Sequence, residues 1–126
     1  PRQYMYRLQK IMDEYAGGVS AAFSTNKYML ARAKELLVFL NEDSEKLGAA
    51  NDYELKRAWE NLHRTAQAEA HVETLDFRTE TRWPGYYFRA DNPAMDDENW
   101  KCFVNCVRSP EGQWEMIKRP IYSIID

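Results

Sequence analysis

Apolar residues recur at spacings of three and four through the first 78 positions, which is the period of a helix buried along one face. Over residues 2–15, Met5, Leu8, Met12 and Tyr15 share a face, with Ile11 beside them. Gly17-Gly18 ends this helix, because glycine supplies the φ > 0 position that closes one. Residues 19–23 read as a short apolar connector. A second helix starts near Ser24 or Thr25, either of which can cap its free N–H groups. Its stripe is Met29, Ala33, Leu36, Leu37, Leu40 and Leu47, its opposite side carries Lys34, Glu42, Glu45 and Lys46, and Gly48 closes it. The third helix opens on Asn51, with Glu54 completing a capping box, and runs to about Leu75. Leu55, Trp59, Leu62, Ala66 and Ala70 form its expected inward face. Three such stripes hide from water most simply in a small antiparallel three-helix bundle. The expected fold class is therefore mainly α, with a helical bundle over 1–78 and a C-terminal extension over 79–126.

The period breaks in that extension. Pro84-Gly85 is a turn signal, and Pro93 bars a regular helix through the residues that follow. Over 100–107 the chain alternates as a strand, with Trp100, Cys102, Val104 and Cys106 on one side. Ser109-Pro110-Glu111-Gly112 suits a type I turn, with proline second and glycine fourth, and 113–118 returns as the partner strand. A β-hairpin over 100–118 is marginal alone, so it must lie on the bundle or on something outside the chain. The apolar ending PIYSIID needs a docking surface too.

The 126 residues fit one domain, or one with a tail, whose compact folded surface would be roughly 7,000 Å². A net charge of -3 gives little attraction to nucleic acid or anionic membrane. No run approaches the ~20 apolar residues of a membrane span, and no signal peptide is visible. Two cysteines do not make a disulfide framework and suit a reducing cytoplasm. A start at Pro1 that enters a helix almost at once is read most simply as a piece of a longer chain.

Self-sufficient chemistry is sparse. Glu60 and His63 have the Glu-x-x-His spacing of di-iron bundles, but His71 lacks the matching carboxylate, since Ala68 stands three residues before it. An ordinary helix-surface or packing role is the better reading. Cys102 and Cys106 on one strand lie about 13 Å apart, beyond disulfide reach, and read as structural thiols. Asp96-Asp97-Glu98 reads as a solvated turn or as partners for nearby arginines. There is no GxGxxG and no phosphate loop. No catalytic, cofactor-binding or metal-binding residue is assigned.

The dense feature is 82–91. Arg82 and Arg89 can pair with carboxylates or phosphate, while Trp83, Tyr86, Tyr87 and Phe88 supply rigid apolar area. This run could serve as an interface with another domain or subunit, as an internal strap over the bundle, or as a ligand-binding edge. One strap can pack on both sides.

ETRWPGYYFRADNPAMDDENWKCFVNC, together with IMDEYAGGV, RAWENLHR and WEMIKRP in the same order, resembles the C-terminal region of the alpha, flavin-carrying subunits of dissimilatory adenylylsulfate reductases. These belong to the wider fumarate reductase and succinate dehydrogenase flavoprotein family, from whose looser central run the stretch 82–89 departs. The resemblance covers essentially the whole chain. It implies a parent oxidoreductase that interconverts adenylylsulfate with sulfite and AMP. FAD would sit in the alpha subunit and two [4Fe-4S] clusters in an iron-sulfur beta subunit. The flavin-binding and capping domains would lie upstream, so no catalytic or FAD-ligand role passes to this chain. Arg82, Trp83, Tyr86, Tyr87, Arg89, Asp91 and Trp100 match the motif and are implied contacts with those domains and with the beta subunit. The competing expectation is an independent helical interaction or scaffold module without enzymatic activity.

Overall fold

The computed structural model describes residues 1–83 and 86–125. Helix α1 (Arg2–Tyr15) is followed by a 3-10 turn (Val19–Ala21), the two-residue strand β1 (Ser24–Thr25) and helix α2 (Lys27–Asp43). A second 3-10 turn (Ser44–Lys46) leads to the long α3 (Asp52–Phe77), then β2 (Phe88–Arg89), one helical turn α4 (Asp97–Trp100), and strands β3 (Cys102–Arg108) and β4 (Trp114–Pro120). The mainly helical class and the antiparallel C-terminal hairpin are borne out.

Tyr4, Leu8 and Ile11 of α1, Leu30, Ala33, Leu37 and Leu40 of α2, and Ala68 and Val72 of α3 form one apolar core. Gly17-Gly18 ends α1 as expected, for two different reasons. Gly17 sits at φ +76°, and a Cβ on Gly18 would lie 2.4 Å from the Asp13 Cα. The chain then returns through β1, which pairs in parallel with β2, so Thr25 lies opposite Arg89.

Several expected details are corrected. The cap of α2 is Asn26, whose Oδ1 accepts the N–H groups of Tyr28 and Met29 at 3.0 Å. Ser24 and Thr25 are engaged in β1, and the Thr25 hydroxyl donates to the Tyr15 carbonyl at 2.8 Å. Helix α2 stops at Asp43, five residues before Gly48, and its core residue is Leu30 where Met29 was expected. Lys34 does not lie on a solvated side: its Nζ reaches Glu73 at 2.9 Å and Asp76 at 2.7 Å on α3. Tyr4, outside the expected α1 stripe, is buried.

The largest correction concerns α3. Asn51 caps Glu54 N–H at 3.0 Å, and the Glu54 carboxylate returns to the Ala50 N–H at 2.9 Å, a box displaced by one residue. The face turned inward, however, is Ala58, Asn61, Thr65, Ala68 and Val72. At 3.6 residues per turn this is about 120° round the axis from the expected stripe. Leu55 is 49% exposed and Trp59 60%. Small and polar residues face α1 because α1 brings polar groups there: Tyr4 Oη lies 2.9 Å from Thr65 Oγ1, and the Asn61 amide donates to the Pro1 carbonyl at 2.9 Å. Buried polar atoms need such partners, and that requirement outweighs the hydrophobic count.

In the hairpin, Cys102, Val104 and Cys106 turn toward the protein while Phe103 and Val107 are exposed. Trp100 belongs to α4, not to the strand. The turn forms as expected, with Gly112 N–H donating to Ser109 C=O at 2.9 Å and Gly112 at φ +85°. The hairpin rests on α3, with Arg108 3.6 Å from Glu69.

Candidate functional site

The segment linking α3 to the hairpin is held by buried charge. Arg89 is 2% exposed, and its Nη1 donates to the carbonyls of Leu75, Asp76 and Arg78 at 2.7, 3.0 and 3.0 Å. It thereby satisfies the last carbonyls of a 26-residue helix and sets a positive charge against the negative end of its dipole. Its Nε and Nη2 form a fork on the Asp91 carboxylate at 2.9 and 3.2 Å. Burial pushes the Asp91 carboxyl up, but the Arg89 bonds more than offset this and hold it below its ordinary range. The backbone of Arg89 is fixed too, since its N–H meets the buried Thr81 hydroxyl at 2.9 Å.

A second cluster centres on Glu80, which is 0% exposed. Its carboxylate accepts from Arg78 Nη1 at 2.6 Å, Arg82 Nε and Nη2 at 2.7 and 3.0 Å, and the Asp96 N–H at 2.8 Å. Burial alone would raise its pKa, yet the Arg82 bonds, the Asp96 N–H and Arg78 together lower it. Arg78 continues to the carbonyls of Trp100 and Cys102, both at 2.9 Å, and Arg82 to Asp97 at 2.8 Å. Sequence reasoning missed Glu80 and Arg78. The available signal was the Arg-x-Glu-x-Arg spacing over 78–82, which places the three side chains on one side of an extended segment.

The seven expected contact residues divide between these clusters and solvent. Trp100 is buried edge-on against Phe77 at 5.3 Å, with Lys118 Nζ 3.6 Å from its ring centre. Arg89, Asp91 and Arg82 are engaged as described. Tyr87 is half-buried, burial pushes its phenol up, and its hydroxyl finds no hydrogen-bond partner among the described residues. Trp83 and Tyr86 point outward, 69% and 82% exposed. The expected Pro84-Gly85 turn lies outside the described residues.

The other candidates are ordinary surface features. Glu60 pairs with Arg64 at 3.3 Å, and His63 stands edge-on to Trp59. Asp96 caps the Asn99 N–H at 3.1 Å, and Asp97 is the partner of Arg82. Among the described residues, no three His, Cys, Asp or Glu side chains gather in a way that could hold a metal ion. No described helix is long and apolar enough to cross a membrane.

Comparison with known proteins relates the chain to part of longer polypeptides. No family model matches the chain. It is 44% identical over 126 residues to the adenylylsulfate reductase alpha subunit of Megalodesulfovibrio gigas, matching 99% of this chain and 19% of that subunit. Two solved structures superpose on it with a TM-score of 0.97 at 54% identity, each covering 100% of this chain and 20% of theirs. One is the adenylylsulfate reductase of the hyperthermophilic Archaeoglobus fulgidus. The other is an adenosine-5-phosphosulfate reductase in complex with sulfite as a covalent adduct. The chain thus spans about a fifth of the length of each relative, and resembles that fifth from end to end.

Proposed function

We propose that this chain is the C-terminal helical domain of an adenylylsulfate reductase alpha subunit, structural and interfacial in role and catalytically silent alone. The observation that carries the reading is the end-to-end match, in sequence and in fold, to one fifth of such subunits. The parent would interconvert adenylylsulfate with sulfite and AMP, in the cytoplasm, using FAD in the alpha subunit and two [4Fe-4S] clusters in a beta subunit. The residues present here do not fit those groups. A cluster needs four thiolates, and the chain has two cysteines; a dinucleotide needs a glycine-rich turn that the chain lacks. No reaction step is therefore assigned to these residues.

What the chain offers is a surface. Its accessible area is 8820 Å², about 1,800 Å² above the roughly 7,000 Å² of a compact domain this size. That surplus is about twice the ~800 Å² that one partner contributes to a standard protein interface. The outer face of the hairpin, the terminal Tyr122, Ile124 and Ile125, and Leu55 and Trp59 on α3 supply apolar area for it. The division into a helical part, 1–78, and an extension, 79–126, follows this use: the first mainly supports and the second carries most of the contacts. Within the extension Trp83 and Tyr86 make the contacts with the flavin-binding and capping domains or the beta subunit. Arg82, Tyr87, Arg89, Asp91 and Trp100 hold the segment that presents them.

Two measurements test this. The purified chain should show no flavin absorbance and no iron, and bound flavin would contradict the reading. Pull-down with the remainder of the alpha subunit and with the beta subunit should weaken at least tenfold for a Trp83→Ala, Tyr86→Ala double variant. Undiminished capture of both partners by that variant would remove the contact assignment.

A further inference from the structure

One groove has walls that nothing among the described residues fills. Trp83, Tyr87, Phe103 and Ile121 line a cleft of about 330 Å³ between the linking segment and the hairpin, bordered by Arg78 and Arg82. The two arginines bring little free charge to it, since Glu80 and Asp97 balance them and three N–H groups of each are bonded to these carboxylates or to the carbonyls of Trp100 and Cys102. An occupant must therefore be apolar. The separation of the walls is set through Glu80. Arg78 ties it to the start of the hairpin, whereas Arg82 and the Asp96 N–H tie it to the linking segment.

We propose that this groove receives an apolar segment of the same polypeptide, from outside these 126 residues, and that Glu80 is the positioning residue that holds it open. This rests on the reading of the chain as part of a larger subunit. Two observations choose the occupant. About four fifths of each relative's length lies beyond the matched region, and the surplus area of this chain calls for cover. The second is electrostatic: a separate subunit is commonly steered to its site by charge, and this groove has little to spare. A covalently attached segment needs no steering, because its effective concentration is already in the millimolar range. The buried carboxylate also suits a positioning role, since a buried ion cluster can fix one geometry while adding little net stability.

The test uses the full-length alpha subunit in its native complex, with p-benzoylphenylalanine replacing the exposed Phe103 and a control probe at the exposed Tyr28. After irradiation, mass spectrometry identifies the cross-linked peptides, and mixing isotope-labelled with unlabelled subunits separates contacts within one copy from contacts between copies. The expected result is a Phe103-site cross-link to a peptide of the same copy outside this region. Its yield should fall several-fold in Glu80→Gln, recover in part in Glu80→Asp, and be unmatched at the control site. A cross-link to the beta subunit or to a second copy, or none at all, overturns the assigned occupant. An unchanged yield in Glu80→Gln overturns the positioning role. Failure of the underlying reading is a separate observation: the native reading frame would then encode no longer subunit.

Discussion

Glu80 and Arg89 show how much of this molecule depends on single buried charges. Both side chains lie where an apolar residue would ordinarily be cheaper, and each is supported by four or more bonds that replace water. The Glu80 cluster has a consequence for acid stability. Its folded pKa is lowered, so the stabilisation is complete above the unfolded carboxyl value of about 4.3 and is lost as pH falls through the lower folded value. Thermal unfolding followed from pH 7 to pH 3 should therefore show a midpoint that drops steeply below about pH 4. In Glu80→Gln the midpoint should start lower, because Arg78 loses its charge partner and Arg82 one of its two, and then depend less on pH. A parallel acid limb in the variant would mean that other carboxylates, Asp91 first among them, carry the effect.

At the scale of elements, α3 sets the lesson. Its start and its capping were legible from Asn51 and Glu54, because capping is local chemistry between residues three apart. Its inward face was not, because Asn61 and Thr65 look like surface residues until Tyr4 and the Pro1 carbonyl arrive from 60 residues away. The start of α2 was misplaced for a similar reason. Ser24 and Thr25 are good caps in isolation, but β1 pairing with the distant β2 takes them first and leaves the role to Asn26. The two faces of the helical part can be told apart by mutation. Leu37→Ala should cost about 2–5 kcal/mol in urea unfolding, as a fully buried core truncation. Trp59→Ala should cost no more than about 1 kcal/mol in the isolated chain despite removing a larger side chain. Equal losses would mean that the exposed face of α3 contributes to the core after all.

For the whole molecule, the hairpin is the part whose stability should depend most on context. It rests on α3 through one face, leaves Phe103, Val107 and Ile117 in solvent on the other, and a two-stranded ribbon has little cooperativity of its own. Amide exchange over Cys102–Arg108 should accordingly be fast in the isolated chain and slow at least tenfold in the full-length subunit. Exchange that is equally slow in both would show that the hairpin needs no cover.

By itself the sequence determined what acts over a few residues: the glycine close of α1, the capping box, the Ser-Pro-Glu-Gly hairpin turn, and the crowding of aromatic and charged residues over 82–91. These depend on backbone sterics and short-range hydrogen bonds, which one stretch of chain contains completely. The tertiary structure decided which side of each helix is buried and which members of the aromatic run remain free. Arg89 and Trp100 turned inward because carbonyls at the end of α3 and the ring of Phe77 were there to receive them, while Trp83 and Tyr86 stayed largely in solvent. Such choices depend on where distant groups come to rest, and no local pattern encodes that.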